Sequence, residues 1–170
     1  MTARPLDLHA LADRLAVEEV LYRFADGIDR KDWARYRSVF ADEIDLDYSS
    51  YRAGNVGTWK ADDWVARAAS LFPGLDASQH TITNPLVTVD GDSARIQAYV
   101  RADHVLVGAP GGDIYTLGGY YDDGLVRGAD GVWRIRRKSL VMRWQEGNRP
   151  LMQLAAERAA AMRAPGQGAG

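Results

Sequence analysis

Four side chains in this chain of 170 residues have types that can do chemistry together: Asp29, His80, His104 and Tyr48. A histidine held by a carboxylate is a tuned base, because the acceptor fixes the tautomer and stabilises the imidazolium, which keeps proton transfer feasible near neutral pH. A tyrosine beside it can donate a hydrogen bond to a carbonyl oxygen as that oxygen gains charge. The chain has only three histidines, and His9 lies near its start, away from any patterned strand. Each residue alone has a plainer reading: a solvated carboxylate near a helix end, core histidines satisfied by backbone or Tyr, a tyrosine filling a strand face. Gathered in one interior they point to a site, since clustered perturbed titratable groups favour one.

The elements that must position them follow from periodicity. Residues 8–28 predict a long helix whose apolar positions Val17, Val20, Leu21, Phe24 and Ile28 fall within one arc. Asp26 lies opposite that arc and Asp29 at its border, so Asp29 is the carboxylate placed to look into a cavity. Asp32 is the expected cap of a second helix with Trp33, Tyr36 and Phe40 on its apolar side. Residues 44–51 alternate as a half-buried strand, with Tyr48 on the inward side beside Ile44 and Leu46. Gly54 and Gly57 mark a loop, and residues 61–72 predict a third helix facing in through Trp64, Val65, Ala68 and Leu71, ended by Pro73 and Gly74.

Strands follow. Residues 78–89 and 94–107 form a hairpin through the Asp-Gly-Asp at 90–92, with His80 sharing the parity of Ile82, and His104 that of Ile96, Ala98, Val100 and Ala102. Residues 116–127 and 132–144 form another, in which Arg134, Arg136 and Lys138 share parity with Leu140, Met142 and Trp144, a switch that a bulge or a change in which face is covered would explain. Pro150 opens a last helix, expected to close the site as a lid, and residues 164–170 are a Gly-rich tail expected to be disordered behind a single domain at 1–163. The order predicts an α+β domain: a strongly curved, mostly antiparallel sheet wrapped around the long N-terminal helix, leaving a conical pocket.

Composition narrows the classes. Lys and Arg total 21 against 23 Asp and Glu, a balance with no overall footprint for nucleic acid or an anionic membrane. The absence of cysteine excludes thiolate nucleophiles, disulfides and sulfur-ligated metals. No signal-peptide core and no run of ~18 apolar residues is present, so cytoplasmic is the expected location. Glycines 111, 112, 118 and 119 fit no phosphate-binding spacing. By ligand type Asp29, His80 and His104 could hold a metal, which a chelator would test.

The run FADGIDRKDW, then LDY at 46–48, SQH at 78–80, ADH at 102–104 and DGVW at 130–133 resembles scytalone dehydratase and the SnoaL-like branch of the nuclear transport factor 2-like superfamily. The resemblance spans residues 11–148 and rests on the order and spacing of the motifs together. It implies a cone-shaped, cystatin-like α+β roll, a site without metal or other cofactor, and a homotrimer or homodimer. Carried over by position, it implies that Asp29 pairs with His104, that His80 is the second active-site histidine, and that Tyr48 is one of two tyrosines holding a water at the substrate carbonyl. Ile28 stands in place of the other tyrosine. Tyr120 and Asp122 replace a serine and an asparagine that contact substrate, which argues against scytalone itself. The chain is also similar, at Asp29 and His80, to hexachlorocyclohexane dehydrochlorinase and to bile-acid dehydratase, where an arginine matching Arg143 completes the site. Asn84 and Trp144 join Arg143, Tyr120 and Asp122 as the expected substrate contacts, and Trp59, Trp64, Phe72, Tyr99 and Tyr115 are candidate aromatic lining.

The resulting expectation is a cofactor-independent dehydratase that removes water from a small cyclic or polyketide-like hydroxy-carbonyl compound, an apolar carbonyl-containing partner. An isomerase or aldol-type cyclase would use the same base and enolate stabiliser. A non-catalytic small-molecule binding module is the reading from a different class.

Overall fold

The computed structural model describes residues 8–164. The tail at 165–170 lies outside the described residues. Helix α1 (Leu8–Asp29) buries Val17, Leu21, Phe24 and Ile28, the arc its spacing predicts. It ends in a left-handed turn at Lys31, φ 59°, and the Asp32 amide donates back to the Gly27 carbonyl at 2.8 Å. Asp32 then caps α2 (Trp33–Ser38), its side chain accepting from the Arg35 amide. Glycine is required at 27, because a Cβ there would lie 2.8 Å from the Tyr36 nitrogen. That close crossing fixes the last turn of α1, and with it Asp29.

Six strands make one sheet: β1 (Phe40–Asp47), β2 (Val56–Lys60), β3 (Ala77–Asp90), β4 (Ser93–Val105), β5 (Ile114–Arg127) and β6 (Trp133–Gly147). Their order is β2-β1-β6-β5-β4-β3, with β1 and β6 parallel and every other neighbouring pair antiparallel. Helix α3 (Ala61–Leu71) continues through a 3-10 turn at Phe72–Gly74, and α4 (Leu151–Arg163) follows β6. The sheet curls over the helices, and Ile96, Ala98, Val100 and Ala102 of β4 are buried as their alternation predicts. No helix among the described residues is long and apolar enough to cross a membrane.

Three local expectations change. Phe40 belongs to β1 rather than to the second helix, and it is wholly buried as the first residue of that strand. Strand β2 occupies part of the expected loop; it is exposed almost throughout, so it carries no burial period to find. In β6 a bulge explains the switch and is present twice: Arg136 and Arg143 are each an extra residue opposite β5. Each insertion exchanges inward and outward positions, so Ile135, then Lys138, Leu140 and Met142, face in, and Trp144 faces out.

Candidate active site

A cavity of about 510 Å³ opens between the concave face of the sheet, the end of α1, α3 and the start of α4. Its inner wall is apolar and aromatic, built by Phe24, Ile28, Trp64, Phe72, Leu117 and Leu140, and into it project His80, His104, Tyr48 and Tyr121.

Asp29 closes the inner end of α1 against β3. One of its oxygens accepts from the Ser78 hydroxyl at 2.8 Å and faces His80 Nδ1 at 2.7 Å; the other accepts from the His80 backbone amide at 2.6 Å. Burial pushes this carboxyl up, but the His80 ring, the His80 amide and Ser78 outweigh it and hold Asp29 below the ordinary carboxylate value. Asp29 is therefore a carboxylate with both of its oxygens engaged. An ionised acceptor places the proton of neutral His80 on Nδ1, leaving Nε2 with its lone pair as the ring's reactive edge. The His80 and Asp29 side chains are only 7% and 17% exposed, so their interaction is weakly screened.

The pairing differs from the one the resemblance implies. Asp29 engages His80, not His104, because β3 is the strand packed on α1, and His104 sits one strand farther in, opposite Ser78. The two imidazoles meet edge to face with centroids 5.7 Å apart. His104 Nδ1 lies 3.3 Å from the Tyr115 carbonyl, an acceptor, so Nδ1 carries the proton and Nε2 accepts. Burial first, and then the repulsion that a second imidazolium would meet beside His80, bring His104 down to about 4. It is neutral at pH 7 and is a hydrogen-bond acceptor in the cavity.

A prediction follows from that burial. The unfolded chain protonates His104 below about 6.5 while the folded one resists until about 4, so its contribution to stability is full above pH 6.5 and is lost as pH falls through that window. Urea midpoints measured from pH 7.5 to 4.5 will fall, with a limiting slope of about 1.4 kcal/mol per pH unit from this group. His104→Gln, which does not titrate, will show a shallower fall.

Tyr48 stands one residue beyond β1, and Tyr121 comes from β5; their hydroxyls hydrogen-bond to each other inside the cavity. Burial above all, then the surrounding phenols and Asp123, push both phenols well above 10, so they remain protonated donors. Tyr36 lies behind them and accepts from Trp64 Nε1 at 3.1 Å.

The expected substrate contacts lie elsewhere. Tyr120, Arg143 and Trp144 share the outer face of the sheet with Tyr99, and Trp144 is 45% exposed. Asp122 accepts from Arg95 and Gln97 on that outer side. Asn84 is exposed at a bulge of β3, with φ 55°. None of these five lines the cavity. Of the candidate aromatic lining, Trp64 and Phe72 reach the cavity, whereas Trp59 meets Trp64 edge to face, and Tyr115 is buried behind His104. Asp29, His80 and His104 do not form a metal site: no group of three such side chains among the described residues is arranged to hold an ion.

Comparison with known proteins bears on this geometry. The SnoaL-like domain family matches residues 9–139. The chain belongs to that family. Scytalone dehydratase arp1 of Aspergillus fumigatus is 28% identical over 146 residues, covering 79% of this chain and 84% of the relative. The crystal structure of the Kfla4162 protein from Kribbella flavida is 34% identical, with a TM-score of 0.76 over 89% of this chain and 99% of that one. Hexachlorocyclohexane dehydrochlorinase LinA-type3 from Novosphingobium barchaimii shares the fold, with a TM-score of 0.68 at 23% identity over 85% of this chain and 95% of that one.

Within this SnoaL-like domain the inward residues of β5 that sequence reasoning missed are Tyr121 and Asp123, the neighbours of the two it named. Asp123 is wholly buried and accepts from Lys138 Nζ at 2.7 Å and from the Ser139 amide at 3.0 Å. The Lys138 ammonium lies over the Tyr121 and Phe24 rings, 3.1 and 4.2 Å from their centroids. A lysine among apolar positions of one parity was the available signal for an inward cation needing a carboxylate.

Proposed function

We propose that this SnoaL-like protein is a cofactor-independent carbon–oxygen lyase that dehydrates a small cyclic β-hydroxy ketone. The observation that carries the reading is the Asp29–His80 pair at 2.7 Å, directed into an apolar cavity beside the Tyr48–Tyr121 hydroxyls. Kinship with scytalone dehydratase supports elimination over other uses of that pair.

In this reading His80 Nε2 removes the proton alpha to the carbonyl, and the C–H electron pair moves into an enolate. Tyr48, held by Tyr121, donates to the enolate oxygen. The enolate then collapses to an alkene conjugated with the carbonyl, the β carbon–oxygen bond breaks, and the imidazolium returns its proton to the departing hydroxide, releasing water. Asp29 keeps Nδ1 protonated and stabilises the imidazolium between the two transfers. His104, neutral and accepting at Nε2, orients the substrate hydroxyl for departure.

The test is mass spectrometry in deuterium oxide on a panel of cyclic β-hydroxy ketones and the parent ketones. The expected result is alpha-deuteration of the ketones and loss of one water from the hydroxy ketones. Exchange without water loss would reassign the site to isomerisation or aldol cyclisation, which share the base. Binding without exchange would make it a binding module.

A further inference from the structure

Resting on that reading of the inner site, we propose that the substrate carries an anionic group, a carboxylate or phosphate, which Arg52, Arg67 and Arg149 hold at the mouth of the cavity while the ketone lies at His80 and Tyr48. All three arginines line the cavity and are exposed, and no aspartate or glutamate is among the described residues that line it. They come from three separate elements: the turn after β1, helix α3, and the link between β6 and α4.

Elsewhere Arg95, Arg101, Arg127, Arg134, Arg136 and Arg158 each hold a carboxylate. Among the described residues, Arg52, Arg67 and Arg149 form no ion pair. Arg23, Arg143 and Arg163 also form no ion pair among the described residues, but none of them lines the cavity, so the three at the mouth are set apart by converging on one opening. Arg67 is placed without a carboxylate: its guanidinium lies 5.6 and 5.9 Å from the Trp59 and Trp64 ring centroids and donates to Asn55 Oδ1 at 3.3 Å. Stacking leaves the remaining N–H donors of that planar fork available for a carboxylate or phosphate. Three uncompensated cations around the rim of a low-dielectric cavity focus a positive potential on its entrance and draw an anion there.

The cavity is thereby polarised end to end, with proton transfer at the inner end and charge recognition at the rim. A neutral hydroxy ketone would use only the first. A substrate with an anionic tail is fixed in one orientation, its reacting carbon directed inward.

Isothermal titration calorimetry with a tetralone carboxylate, its methyl ester and a tetralone aryl phosphate tests this without turnover. At low salt the anions are expected to bind on the order of tenfold tighter than the ester, with the advantage shrinking as salt rises. The triple variant Arg52→Gln, Arg67→Gln, Arg149→Gln removes the advantage of the anions over the ester. The tighter of carboxylate and phosphate identifies the anion. Equal affinity of ester and anions, an advantage that survives the triple variant, or failure of all three probes to bind overturns the proposal. Anion preference without deuterium exchange leaves this rim standing and removes the lyase reading; exchange without anion preference does the reverse.

Discussion

Asp29→Asn is expected to lower turnover by about 10²–10⁴-fold while the protein stays folded and binds the same ligands, a loss typical of disabling general acid–base transfer. The carboxylate makes three contacts, to the Ser78 hydroxyl, the His80 amide and His80 Nδ1. An asparagine oxygen can replace only part of that set. Its amide nitrogen is a donor, so if it faces His80 it demands an unprotonated Nδ1 and moves the imidazole proton to Nε2, where the substrate proton should go. The imidazolium also loses the negative charge that stabilises it. His80→Ala is expected to cost about as much as Asp29→Asn, and the double variant little more, because residues acting as one unit are not additive. Wild-type turnover in either single variant would remove the assignment. Circular dichroism and calorimetric binding of a ketone on the same preparations separate a lost base from a lost fold.

How far the sequence carried this picture depends on how much phase each segment holds. Helix α1 was legible, because Val17, Leu21, Phe24 and Ile28 define one arc and Asp29 one border of it. Strand β4 was legible as well: four apolar residues alternate with Arg95, Gln97, Arg101 and Asp103, which assigns His104 to the interior without ambiguity. Strand β5 was not. Its sequence Gly-Gly-Tyr-Tyr-Asp-Asp-Gly doubles each residue type, so periodicity does not separate the neighbouring tyrosines or aspartates, and Tyr120 and Asp122, named by position from the resemblance, fall on the outer face. The insertions at Arg136 and Arg143 then reverse the phase of β6 twice, which carries Trp144 outward. Asp29 and His80 were both named, but which histidine the carboxylate meets depends on which strand lies against α1, a tertiary fact that local periodicity does not contain. The rim arginines have the same origin: Arg52, Arg67 and Arg149 are ordinary surface residues until the fold brings three elements to one opening.

Lys138→Met is expected to destabilise the fold by about 3–5 kcal/mol, the usual result of leaving one partner of a buried ion pair alone. Both side chains are fully buried, and the Asp123 carboxylate would keep only the Ser139 amide as a donor. Burial already lifts Asp123 above the ordinary carboxylate value, opposed chiefly by Lys138. Without that cation the carboxyl keeps its proton in the folded protein to higher pH, whereas the unfolded chain releases it near 3.8. The native state then binds more protons than the unfolded state, so the deficit deepens as pH rises above that value. Urea midpoints of Lys138→Met at pH 5 and pH 8 read both the size and the sign; an unchanged midpoint would mean the pair is not buried as described. Adding Asp123→Leu removes the orphaned charge along with its partner and is expected to restore most of the loss, since apolar replacement of a whole buried pair is near neutral. The rescued double variant also isolates the electrostatic role of the pair. Its turnover reports what the Lys138 charge over the Tyr121 ring contributes to the Tyr48–Tyr121 donors, in a protein whose Asp29–His80 base is intact.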